Sequence, residues 1–159
     1  MYSYTARHRR FSVGGNELLR FSSSLPVFSS YPNITSFYEE LSKNCEEWCE
    51  SYLFSRIRDE KNKTDRGFRR RLYSLSATVS YISAEYVCIS LTATLAEGKQ
   101  TVATYTDSAQ IWQISTGTLV PQKYALRDIS KELGISADEA LSRLSQMEKT
   151  PLLSQTENG

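Results

Sequence analysis

The chain has 159 residues, of which 40% are hydrophobic and 23% charged, a balance typical of a globular domain and too apolar for general disorder. Its 19 basic and 18 acidic residues leave a formal charge of +1, so no global field draws it to nucleic acid or an anionic membrane. A single histidine removes most metal and general-base arrangements, and no apolar run reaches the ~18 residues of a membrane span.

Residues 1–150 read as one α+β domain and 151–159 as a loose tail. The stretch after Arg7, Arg9 and Arg10 is broken by Gly14, Gly15, Asn16 and Glu17, so no secretory leader is read there. On sequence alone the chain reads either as cytoplasmic or as a version without its leader. Tyr2 to Val13 and Leu18 to Phe28 flank Gly14-Gly15-Asn16, which predicts an N-terminal hairpin because a glycine pair supplies positive φ. Ser29 to Pro32 forms the next turn.

A long amphipathic helix is predicted over Asn33 to Arg58. Ile34, Phe37, Tyr38, Leu41, Cys45, Trp48, Cys49, Tyr52, Leu53 and Ile57 recur at three- and four-residue steps on one face. Glu39, Glu40, Glu46, Glu47 and Glu50 point to water, and Asn33 is the expected N-cap. Asp59 to Gly67 is charged and reads as a loop.

From Arg69 the period falls to two. Tyr73, Leu75, Ala77, Val79 and Tyr81 alternate with Ser and Thr, as do Val87, Ile89, Leu91, Ala93 and Leu95, which predicts half-buried strands. Thr101 to Ile114 is a third strand, or a strand pair with a bulge at Asp107-Ser108. The turns at Ser83–Glu85, Glu97–Gln100 and Ser115–Gly117 are short enough to require antiparallel neighbours. The expected architecture is therefore an antiparallel meander packed against the long helix. Two short C-terminal helices follow, around Leu126–Leu133 and Ser136–Met147, the second opened by a capping box at Ser136 and Glu139.

Few residues offer chemistry. Cys45 and Cys49 lie one helical turn apart without the further ligands that zinc needs, so they read as packed thiols. Cys88 falls on the polar side of its strand, where a thiol would be exposed. His8, among three arginines, reads as a surface residue. No nucleophile elbow, phosphate loop or dinucleotide fingerprint is present, so no catalytic residue, metal or cofactor is assigned and no enzyme is expected.

Three strand motifs resemble a known family. They are Tyr73-Ser74-Leu75, then Tyr86-Val87-Cys88-Ile89-Ser90-Leu91, then Ile111-Trp112-Gln113-Ile114-Ser115-Thr116-Gly117-Thr118-Leu119-Val120. With Tyr31-Pro32 ahead of a helix carrying Trp48, their order is similar to a bacterial domain of unknown function. That domain forms the extracellular end of the lysozyme-sensing anti-sigma factor RsiV and also lies beside the catalytic domain of the peptidoglycan deacetylase PdaC. The likeness spans roughly Leu18 to Leu126. The segment Gly98 to Thr104 lacks the Gly-Gly-Ala-His stretch common in that family. The resemblance implies an extracytoplasmic, non-catalytic recognition module for a lysozyme-like protein or a cell-wall-related ligand.

The open side of the sheet and the turns at Ser83–Glu85 and Glu97–Gln100 are the expected binding face. Tyr86, Tyr105 and Trp112 are the expected aromatic contacts, since Tyr and Trp join apolar area to a polar tip. The alternatives are a DNA-binding regulator using the helix-turn-helix-like 127–149 segment with Arg69-Arg70-Arg71, or a cytoplasmic protein-interaction domain. Asp138 and Glu139 at the start of the recognition helix would repel phosphates and make nucleic acid the weaker partner.

Overall fold

A computed structural model describes residues 2–63 and 67–120, apart from the Ser108 side chain. The two predicted C-terminal helices, the capping box, the helix-turn-helix-like segment and the tail lie outside these residues. Within them the fold is α+β, as the alternation of periods requires. Strands β1 (Tyr2–Val13) and β2 (Asn16–Phe28) lead into one long helix, and β3 (Arg71–Ile82), β4 (Tyr86–Glu97), β5 (Gln100–Gln113) and β6 (Thr118–Leu119) follow. All six strands form one sheet in the order of the chain.

The N-terminal hairpin closes on Gly14 and Gly15, both at positive φ, with Val13 opposite Asn16. Two consecutive positive-φ residues match the right-handed twist of the strands they join, and glycine accepts that geometry without strain. The hairpin is not a separate unit. β2 pairs with β3 in parallel from Leu19↔Arg71 to Ser24↔Ser76, while β3–β4, β4–β5 and β5–β6 are antiparallel. A parallel pair needs a crossover, and the helix supplies it.

That helix comprises α1 (Pro32–Trp48), a π-turn at Cys49–Leu53 and α2 (Phe54–Lys63). Its start corrects the expected Asn33 cap. Tyr31 occupies the cap position without a side-chain bond and Pro32 opens the first turn, where its missing N–H costs nothing. Thr35 fastens this end instead: its Oγ1 accepts from Phe28 N–H at 2.8 Å and lies 3.3 Å from Phe28 O. The far end runs to Lys63, through most of the stretch read as a loop.

Burial along α1 steps by four through Ile34, Tyr38, Ser42 and Glu46, then resumes at Cys49, Leu53 and Ile57. The π-turn resets the phase, which is why Tyr52 is exposed rather than on the apolar face. Glu46, expected in water, is instead buried in register with the α1 stripe. Arg7 Nε at 2.8 Å and Arg9 Nη1 at 3.1 Å, both from β1, neutralise its carboxylate.

The helix covers one face of the sheet with two apolar clusters. One gathers Leu25, Phe28, Ile34, Tyr38, Leu75, Val87, Ile89 and Trp112; the other gathers Phe11, Leu18, Leu19, Phe21, Cys49, Leu53 and Ile57. Tyr38 sits at the centre of the first. Its hydroxyl accepts from Trp112 Nε1 at 3.0 Å and donates to Gln110 Oε1 at 2.7 Å, and burial pushes its pKa up. Gln110 Nε2 in turn donates to Asp107 Oδ2 at 3.2 Å, so the helix is tied to an irregular point of β5.

The Ser115–Gly117 turn meets the start of α1. Gly117 has a φ of +66°, and a Cβ there would lie 2.7 Å from Asn33 Nδ2. Two of the sequence motifs, Tyr31-Pro32 and Thr116-Gly117, are therefore neighbours lining one small cleft. We expect Gly117→Ala to destabilise the fold by about 1 kcal/mol or more, from the positive φ and the contact together. Urea unfolding checks this; Gly67→Ala, at positive φ with open space around it, separates the backbone cost from the contact.

Candidate functional site

The three expected aromatic contacts do not share an exposed surface. Trp112 is 4% exposed and lies under the helix. Tyr105 is half-buried and packs against that same cluster. Tyr86 is 5% exposed and lies on the opposite face, in a cluster with Cys88, Ala109 and Ile111.

Bulges explain the placement. Leu91 pairs with Asp107 but Ile89 pairs with Gln110, so β5 carries one extra residue at Ser108-Ala109, the bulge alternative of the sequence reading. Each bulge reverses which face the following residues occupy. Ala103 and Tyr105 therefore share the helix side with Gln110 and Trp112. Thr104 and Thr106 share the far side with Ala109 and Ile111. A second shift between Val79 and Tyr81 sends Tyr81 to the far cluster, away from Val79. Cys88, expected to be an exposed thiol, is fully buried there.

The far face is also less open than its polar alternation suggests. Cross-strand pairing aligns Ser22, Ser74, Thr94 and Thr104 in one row and Ser24, Ser76, Thr92 and Thr106 in the next. Ser90, Thr104 and Thr106 are buried, and the Thr104 and Thr106 hydroxyls have no hydrogen-bond partner among the described residues. Small hydroxyl side chains tolerate burial better than charges, so alternation alone does not mark such a face as solvent.

The cysteines of the helix are poor nucleophiles. Burial, then the nearby Cys45 and Glu46, pushes the Cys49 thiol up to about 12. Burial also raises Cys45, despite a 3.6 Å hydrogen bond from the Tyr73 hydroxyl. Among the described residues no group of three or more His, Cys, Asp or Glu is placed to hold a metal, and no helix is long and apolar enough to cross a membrane.

A concavity lies elsewhere, at the Glu97 end of the sheet. There α2 and the edge of β3–β5 enclose an open groove of about 660 Å³, within the range of ligand sites. Leu53, Ile57, Leu95 and Ala103 form its floor, and Val102 stands 39% exposed at one side. Val102 is itself a bulge residue: Leu95 pairs with Ala103 while Ala96 pairs with Thr101. The rim is charged, with Arg56, Asp59, Glu60, Lys63, Arg71 and Glu97.

Arg71 holds the groove together. Its side chain is 8% exposed, yet it carries a full charge. Its Nη2 lies 2.6 Å from Glu60 on α2 and 3.8 Å from Glu97 on β4. Its Nη1 donates to the Arg69 carbonyl at 2.6 Å, and its guanidinium lies over the Phe68 ring at 5.3 Å. A buried charge needs such a full set of partners. The basic run Arg69-Arg70-Arg71 is largely occupied within the fold, because Arg70 also pairs with Glu17 at 2.7 Å. Of the features expected at the binding face, the Glu97–Gln100 turn alone reaches this groove, through Glu97. Leu53, Ile57 and Arg71 have no distinguishing signal in the sequence, although the switch from helix to strand period at Arg69 marks where the two walls meet.

No protein-family model matches the chain, and no curated protein does. Solved structures do. A DUF3298 family protein from Pseudomonas aeruginosa is 10% identical over 97% of this chain and 77% of its own, with a TM-score of 0.52. A member of the DUF3298 family from Bacteroides fragilis is 11% identical over 89% of this chain and 72% of its own, with a TM-score of 0.49. The chain thus shares the fold of a bacterial domain of unknown function.

We expect Arg71→Met to lower stability by about 1.5 kcal/mol or more, the lower figure for hydrogen bonds to charged groups, since half-exposed Glu60 and Glu97 regain water. Guanidinium unfolding measures it, and restoring the charge as Arg71→Lys recovers only part, because an ammonium cannot reach three acceptors in the guanidinium plane.

Proposed function

We propose that the chain is a non-catalytic recognition module, and that the groove between α2 and β3–β5 receives a protein ligand. The observation that carries this reading is the exposed Val102 and partly buried Leu95 over a buried apolar floor, ringed by charged side chains, an apolar centre with a polar rim as in a protein–protein contact. The rim is tied together by Arg71, buried and paired with Glu60 and Glu97, so less ordering cost falls on binding. The sequence motifs resembling the RsiV domain make a lysozyme-like protein the first ligand to test.

A cell-wall glycan is the weaker ligand for this site. Saccharide rings are taken by exposed aromatic faces, and none lines the groove among the described residues; of the expected contacts, Tyr86 and Trp112 are buried and Tyr105 is half-buried. A DNA-binding role is weaker still, since Arg70 and Arg71 already pair with Glu17 and Glu60.

Calorimetric titration with a lysozyme, at low and at high salt, tests the proposal. Salt controls for loose attraction of a basic ligand to the helix glutamates. We expect binding that survives high salt and weakens about tenfold or more in Val102→Glu, which puts a charge beside the apolar floor. No binding, binding lost with salt, or binding indifferent to that substitution overturns it.

A further inference from the structure

Arginines outnumber carboxylates beside the N-terminal hairpin, and we infer that the cluster of Arg10, Arg20 and Arg70 binds a dianionic phosphate group. This site is separate from the groove and does not rest on the recognition reading above. The three side chains converge on one carboxylate. Glu17 Oε1 lies 3.3 Å from Arg10 Nε and 3.2 Å from Arg20 Nη2, and Glu17 Oε2 lies 2.7 Å from Arg70 Nη1. A bulge builds the cluster. Phe11 pairs with Leu19 but Ser12 pairs with Glu17, so Leu18 is an extra residue of β2. Phe11, Leu19 and Phe21 take the helix side, which leaves Arg10 and its cross-strand partner Arg20 on the opposite face.

Charge sets this cluster apart from the other ion pairs of the described residues. Arg7 and Arg9 meet two carboxylates, Glu46 and Glu50, and Arg71 alone meets Glu60 and Glu97. Here one carboxylate faces three guanidinium groups, an excess of two positive charges. Like charges directly opposite on paired strands repel, so the Arg10–Arg20 pair calls for more anion than Glu17 supplies. Donors for it are present. A guanidinium carries five N–H groups, and Glu17 engages one nitrogen of each arginine. Arg20 Nε is buried with no hydrogen-bond partner among the described residues, the mark of a place for an ion or water. The Arg10 and Arg70 side chains are 69% and 43% exposed, so a ligand reaches them from solvent. A carboxylate offers two oxygens in one plane, and Glu17 already fills that role. A terminal phosphate offers three oxygens in a tetrahedron and a charge of about −2 near neutral pH, which matches the excess. Three guanidinium groups converging on one point suit a single terminal phosphate rather than the extended backbone of a nucleic acid.

Calorimetric titration of the full chain with inorganic phosphate, and separately with acetylated and amidated phosphoserine, tests this in chloride buffer at constant ionic strength. We expect saturable one-to-one binding, and the tighter of the two probes tells a free phosphate from a phosphate ester. Arg20→Gln weakens it by about tenfold or more, as loss of hydrogen bonds to a charged group does. Arg10→Gln, at an exposed strand position, weakens it by about threefold or more. Arg58→Gln removes the same charge from α2, where the guanidinium lies over the Phe54 ring, and leaves affinity within about twofold. Absence of saturable binding with both probes overturns the proposal. So does binding that Arg20→Gln and Arg10→Gln leave unchanged, or that Arg58→Gln weakens equally, since that is attraction to net charge alone.

Discussion

The parallel pairing of β2 with β3 is the constraint from which the rest of the fold follows. Two parallel neighbours cannot be joined by a turn, so the chain must leave the sheet, cross one face and return. The helix of residues 32–63 is that crossing. Its position is set at both ends, by Thr35 on the last residue of β2 and by Glu60 on the first residue of β3. Between them, Tyr38 reaches across to Trp112 and Gln110 on β5. One face of the sheet is thereby covered, and the groove lies where α2 meets β3–β5 at the Glu97 end.

Irregularities in the sheet decide what each face carries. With side chains alternating at a period of two, one inserted residue exchanges the faces for everything that follows. The bulge at Ser108-Ala109 turns Trp112 into the core and Ile111 away from it. The bulge at Val102 leaves an apolar side chain half in solvent at the rim of the groove. The Tyr38–Gln110–Asp107 chain of hydrogen bonds spans the first of these bulges, so burial of a polar network and strand register support each other.

Much of the fold was legible in the sequence because period and turn chemistry are local. The Gly14-Gly15 hairpin, the stripe from Ile34 to Ile57 and the meander from Arg71 onward all follow from residue spacing. What escaped was non-local. Asp59 to Lys63 is too polar to read as helix, yet it extends one because Glu60 has Arg71 to reach. Glu46 reads as solvent-facing until the arginines of β1 are brought alongside it. The placement of the three aromatics escaped for the same reason: Tyr86, Tyr105 and Trp112 can be assigned to faces only when the bulges are counted, and a bulge is visible only against its partner strand. The groove was illegible because its floor is made of ordinary core-type residues, Leu53, Ile57 and Leu95, left at a corner by tertiary geometry.

Recognition at that corner is the central claim, and amide hydrogen exchange in the full chain with and without a lysozyme at high salt tests it most directly. Backbone amides report local protection along the whole chain at once. The account predicts slowed exchange in 53–63 and 100–107 and little change along β1 or at the Ser83–Glu85 turn. Protection confined to those latter segments, or no change anywhere, would contradict it.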